Sequence, residues 1–109
     1  MPDIILTKKD GTVSHVPADP VRICISQEEA VSLIASEDFR VSKIELVDER
    51  SGRPIREMNP FHRPLPWPTK GFRKKVHSGV PQDDTKGHYK LSGEFADKTA
   101  YDPIIIINP

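Results

Sequence analysis

The chain has almost no cysteine, no excess charge of either sign and no long apolar run. Cys24 is the one cysteine among 109 residues, so no disulfide can form within the chain, which fits a reducing compartment. Sixteen basic residues stand against sixteen acidic ones. A chain of zero formal charge has no global field to gather nucleic acid or an anionic membrane, although a local patch stays open. No window approaches transmembrane length. The start, Met1-Pro2-Asp3-Ile4-Ile5-Leu6, has neither a basic leader region nor a long apolar core, so no signal peptide is expected. The expectation is a soluble cytoplasmic protein forming one domain over residues 1–109, with no membrane partner and no nucleic-acid partner.

Catalytic signatures are missing as well. There is no G-x-S-x-G, no phosphate-binding P-loop and no dinucleotide fingerprint. His15, His62, His77 and His88 have no HxH, HxxxH or cysteine-paired spacing, so no zinc signature exists. Strands distant in sequence could still gather His62, His77 and His88. Glu28/Glu29 and Asp83/Asp84 are adjacent carboxylates. Neighbours on a strand point to opposite faces and those in a turn are solvated, so neither pair argues for acid–base work. No cofactor, no metal and no catalytic residue is assigned.

What the chain does have is proline, eleven residues of it, well above the usual ~5%. That argues against long helices and for strands joined by fixed turns. The run Ile104-Ile105-Ile106-Ile107, set between Asp102-Pro103 and Asn108-Pro109, is β-branched throughout and apolar on both faces. It is expected as the closing strand, in the middle of a sandwich and away from its edge. Near the other end, Asp10-Gly11 between Ile4–Leu6 and Thr12–Val16 signals a hairpin. Val21–Ser26 alternates, with Val21, Ile23 and Ile25 on one face. Val41–Glu49 reads as a strand with Ile44 and Leu46 pointing one way and Lys43, Glu45 and Val47 the other. His88–Phe95 alternates most cleanly, with Tyr89, Leu91, Gly93 and Phe95 on one side.

Three stretches admit two readings. Ser26-Gln27-Glu28-Glu29 matches a capping box, so a short helix near 27–37 competes with a turn followed by a strand over Ala30–Ser36; the flanking strands favour the strand. Met58–Gly71 packs four prolines into residues 60–68 and holds the one tryptophan. It cannot be a central strand. Phe61, Leu65 and Trp67 either fold back to cap one end of the sandwich or offer an aromatic and proline surface to a partner. Arg73-Lys74-Lys75 beside Phe72, in a strand over 71–79, could touch phosphates, but also suits a solvated face or an edge guarded against pairing. Cys24 is read as a small buried residue, the alternative being a reactive thiol whose electropositive partner the sequence does not identify.

The order of features then carries a resemblance. It runs from Arg22-Ile23-Cys24-Ile25-Ser26 through Asp38-Phe39-Arg40-Val41 and Pro64-Leu65-Pro66-Trp67-Pro68 to His77-Ser78-Gly79, Tyr89-Lys90-Leu91 and Asp102-Pro103-Ile104-Ile105-Ile106. Over about residues 20–109 this resembles small bacterial cupredoxin-like sandwich proteins, mostly of unknown function. The resemblance implies an all-β fold, a Greek-key-type β-sandwich of cupredoxin-like or immunoglobulin-like kind. It does not imply copper. A blue-copper site needs two histidines, a cysteine and usually a weak methionine. The family's cysteine, second histidine and methionine lie between the last two strands, where this chain has Ala96-Asp97-Lys98-Thr99-Ala100-Tyr101-Asp102-Pro103.

The function expected is a non-enzymatic binding or accessory module, contacting an unidentified protein partner through Phe61, His62, Trp67 and Phe72. The alternative is a metal-binding protein using clustered histidines.

Overall fold

In the computed structural model, which describes residues 2–18, 23–70, 72 and 74–108, the chain folds into two β-sheets. The strands are β1 (Asp3–Lys9), β2 (Thr12–Val16), β3 (Cys24–Ile25), β4 (Ser32–Ile34), β5 (Phe39–Val47), β6 (Pro54–Glu57), β7 (Trp67–Pro68), β8 (Lys75–His77), β9 (Gly87–Phe95), β10 (Ala100–Tyr101) and β11 (Ile104–Ile107). There is no helix among the described residues.

The small sheet has the order β2-β1-β4-β8. Its hairpin forms because Asp10 and Gly11 both accept left-handed backbone, with φ of 53° and 78°. Two left-handed residues in a row make the turn whose twist matches that of the strands it joins. The turn sets Lys9 opposite Thr12 and Ile5 opposite Val16. β4 then lies parallel to β1, and β8 antiparallel to β4. This places Ile4, Leu33 and Val76 in one cross-strand row, and all three are buried.

The large sheet has the order β3-β11-β9-β5-β6, with β10 also pairing β9 and β7 also pairing β5. β9 is its central strand, and the alternation read in the sequence holds: Tyr89, Leu91, Gly93 and Phe95 are buried while the intervening residues are half-buried. The inner faces of the two sheets share one apolar cluster, including Ile4, Leu33, Val41, Ile44, Tyr89, Leu91 and Ile105.

β5 departs from the simple alternation expected of it. Phe39 and Val41 are buried, then the phase slips and Ile44 is buried. The pairing register with β9 shifts between Val41 and Lys43. One extra residue in a strand lets two positions oppose one and reverses the faces beyond it. Ile44 and Leu46 then stand beside the inward Leu91 and Tyr89. Val47, expected on the opposite face, is nonetheless buried, in a cleft lined with His88, Ile104 and Ile106 beneath the Asp48–Gly52 loop.

The isoleucine run is an interior strand, antiparallel to β9 and parallel to β3. Only one of its faces reaches the core, however. Ile105 and Ile107 are buried, whereas Ile104 and Ile106 are half-buried on the outer side. A sandwich has two layers, so each strand has one face without a second sheet upon it.

The ambiguous stretch is a turn and then a strand. The capping-box contacts nevertheless form: the Ser26 amide donates to Glu29 Oε1 at 3.0 Å and the Glu28 amide to Ser26 Oγ at 3.2 Å. They close one turn and no helix follows, because Val31 and Leu33 are taken into the core and β4 is claimed by β1 and β8. β3 is shorter than the strand expected over 21–26; Val21 and Arg22 lie outside the described residues. β8 is likewise shorter than expected, with Gly71 and Arg73 outside them. Sequence reading assigned no strand to Pro54–Glu57, which forms β6 with all four side chains exposed.

Two side chains tie the ends together. Lys8 on β1 reaches Glu37 at 2.8 Å and Asp97 at 2.6 Å, its ammonium 5.3 Å from the centre of the Phe95 ring. On the large sheet, Tyr101 stands opposite Gly93 and its hydroxyl donates to the Arg40 carbonyl at 2.7 Å.

Candidate partner-binding flank

β7 lies at the edge of the large sheet and β8 at the edge of the small one. The described residues between Met58 and Gln82 therefore run down one flank of the sandwich. Its proline content suits this place, since a residue without an N–H is tolerated at an edge. Pairing to β5 is limited to Val41↔Trp67 and Arg40↔Pro68.

Phe61 and Trp67 do not face solvent. Both are buried, at 1% and 0% exposure, and they meet edge to face with centroids 5.5 Å apart. They form the frame of the flank, as in the capping alternative, and cannot themselves touch a partner. The Trp67 indole donates to the Arg63 carbonyl at 3.1 Å, and the Asn59 side-chain amide donates to the same oxygen at 2.8 Å. The Phe61 amide donates to Asn59 Oδ1 and the Gln82 side chain to the Phe61 carbonyl. The His62 amide reaches the Val80 carbonyl, and Phe61 bridges to Pro81. An irregular segment with its polar backbone satisfied in this way is held in one conformation.

Outward, the flank presents a ridge. Between His62 and Pro68 exposure alternates: His62, Pro64, Pro66 and Pro68 are exposed, while Arg63 and Leu65 are half-buried and Trp67 is buried. Beyond it Phe72 is fully exposed and Val80 is 42% exposed. Of the four residues expected at a partner surface, the fold leaves His62 and Phe72 accessible and draws Phe61 and Trp67 inside.

The sequence carries a further signal along this flank. Residues 58–82 contain Arg63, Lys70, Arg73, Lys74 and Lys75 and none of the sixteen acids. The zero net charge thus conceals a separation, +5 on this stretch against −5 over the rest.

A second concavity, a cleft of ≈ 400 Å³, lies beside the flank and is lined by Asp38, Arg40, Thr69, Glu94 and Lys98 among others. Its charges are satisfied internally. Arg40 pairs with Glu94 at 2.5 Å and Lys74 with Asp38 at 2.9 Å; Thr69 Oγ1 donates to Asp38 at 2.8 Å. The hydrogen bond from Lys74, then that from Thr69, holds the Asp38 carboxyl below its ordinary range. The bond from Arg40 does the same for Glu94, with help from Lys98. Carboxyls so held stay ionised at neutral pH and are poorly suited to donate a proton.

Three of the four histidines are engaged separately, and His62 is exposed on the flank. His15 Nδ1 donates to the Pro17 carbonyl at 2.8 Å, His77 Nδ1 lies 2.9 Å from Ser32 Oγ, and His88 Nε2 lies 3.9 Å from Glu49. Among the described residues no group of three or more His, Cys, Asp or Glu is placed to hold a metal. Among the described residues, too, no helix is long and apolar enough to cross a membrane. Cys24 is half-buried on β3. No protein-family model, no curated protein and no solved structure matches this chain.

Proposed function

We propose that the protein is a non-enzymatic binding or accessory module that engages another protein through the 58–82 flank, with Phe72 as the anchor and His62 and the proline ridge beside it. The observation that carries this reading is the complete exposure of Phe72 next to a rigid, proline-studded edge. A large aromatic left wholly in water stabilises nothing in the monomer, whereas the same ring seated in a partner's pocket is a typical source of binding energy. Burying it would contribute about 1.5–3 kcal/mol, or roughly a 10- to 150-fold change in affinity. The buried Phe61–Trp67 frame supports the reading indirectly, because the proline ridge it backs is held in shape and loses little freedom on binding.

The scaffold is read as a copper-free member of the small bacterial cupredoxin-like sandwiches, working in the cytoplasm. The two-sheet architecture and the lack of cysteine, histidine and methionine in Ala96–Pro103 support that assignment.

The test is a selection from displayed protein fragments on immobilised wild-type protein and on Phe72→Ala. Ligands that bind the first and are lost on the second are expected. If no selected ligand depends on Phe72, the reading fails.

A further inference from the structure

We infer that the segment this flank receives is acidic: a stretch of a partner protein that seats an apolar pocket over Phe72 and sets carboxylates against the lysines on either side. The inference rests on the protein-binding reading above and names the chemistry of the partner.

Charge complementarity is its basis. The flank holds five cations and no acid, and two of the cations have work within the fold. Lys74 pairs with Asp38, and Arg63 Nη1 donates to the His77 carbonyl at 2.7 Å. Lys70 and Lys75 form no ion pair with any described residue. Lys70 is exposed and Lys75 half-buried. Chain length alone keeps them close to the anchor. Lys70 is two residues from Phe72 and Lys75 three, so their Cα atoms lie within about 7 and 11 Å of it. An exposed ring flanked in sequence by two lysines that have no ion pair among the described residues matches an apolar side chain flanked by carboxylates. Such charges steer encounter and reject basic partners.

Other anionic partners fit less well. Pro64, Pro66 and Pro68 have no N–H, so these three exposed positions of the ridge offer no main-chain donor to a phosphate. With Phe61 and Trp67 buried, one exposed aromatic does not make the stacking series that single-stranded nucleic acid uses. Two available lysines would bring only about 1 kcal/mol each at an anionic bilayer, with one ring to insert.

The experiment measures binding of the full chain to fluorescent synthetic peptides rich in Asp and Glu with interspersed Leu and Phe. Matched peptides carry Lys and Arg in place of the acids. Poly-dT and phosphatidylserine-containing vesicles serve as the other anionic probes. The acidic peptides should bind better than the basic ones and weaken with salt. They should lose about tenfold or more on Phe72→Ala and again on Lys70→Glu, with thermal unfolding unchanged in both variants. Acidic peptides that bind no better than basic ones would overturn the inference. So would tighter binding of poly-dT or vesicles, or a concentration-dependent dimer abolished by Phe72→Ala, which would give the flank to a second copy. The two readings fail separately: Phe72-dependent ligands from the displayed fragments with no acidic bias would leave the binding module standing and remove only the acidic partner.

Discussion

The ring of Tyr101 lies across Gly93. The two residues stand opposite each other on β10 and β9, and the phenol passes over the bare Cα to reach the Arg40 carbonyl. A Cβ at position 93 would come within 2.1 Å of that carbonyl oxygen and 2.4 Å of the Tyr101 hydroxyl. Backbone at that distance cannot yield as a flexible side chain could. Gly93→Ala should therefore cost about 3 kcal/mol or more, seen as a large fall in the thermal or denaturant midpoint. Tyr101→Phe keeps the ring and removes one part-buried hydrogen bond, that to the Arg40 carbonyl. Its cost should be smaller, about 1–2 kcal/mol. Equal effects from the two would contradict the arrangement.

The frame and the surface of the flank should separate on mutation. Phe61→Ala and Trp67→Ala empty sites that are fully enclosed and should each cost about 3–5 kcal/mol. Phe72→Ala removes a side chain that touches little and should change stability by no more than about 0.5 kcal/mol. Urea unfolding of the three variants measures this. A Phe72→Ala protein as unstable as Trp67→Ala would mean that the ring packs against the fold.

Acid should loosen the end of the sandwich held by Lys8. Its ammonium, the largest cause, holds the Asp97 carboxyl well below the ordinary value of 3.8. A carboxyl depressed on folding contributes stability that is complete above its unfolded value and fades as pH falls towards the folded one. The contribution should be intact at neutral pH and begin to go as pH drops through about 4. Thermal midpoints measured from neutral pH to strong acid should fall less steeply in Asp97→Asn than in wild type. Identical profiles would show that the contact contributes nothing in solution. The site is open to solvent, so added salt should shrink the difference.

The first hairpin should depend on its second turn residue. Gly11 has a φ of 78° and no atom near its absent Cβ, so the penalty for a larger residue is conformational. Gly11→Val should cost on the order of 1–3 kcal/mol, read from chemical unfolding. Asp10→Asn, which tolerates the same backbone, should be close to neutral.

Much of the fold was legible because period and turn chemistry agreed. The Asp10-Gly11 hairpin and the Tyr89–Phe95 alternation needed no tertiary information. The strand after Glu29 was harder, since Ser26 and Glu29 are a true capping pair that closes a turn without a helix behind it. The bulge in β5 was not legible: Ser42 and Lys43 are ordinary strand residues, and only pairing with β9 reveals the extra one. Pro54–Glu57 was missed because a fully exposed edge strand has no buried face to give it a period. At the flank, the frame was visible as aromatics among prolines, but not which aromatics point inward. Phe61 and Trp67 go inside because their rings meet each other and the core; Phe72 stays out. Charge separation along the chain was readable from the start, hidden by a total of zero.

The proline ridge has a further consequence. A β-strand recruits another by offering a row of amides and carbonyls, and this stretch of the large sheet's border has amides missing at Pro64, Pro66 and Pro68. An exposed apolar border is ordinarily an invitation to fibre growth. Here the lost donors deny an incoming strand its ladder while leaving ring faces free for side chains, so the flank can be adhesive without being a template.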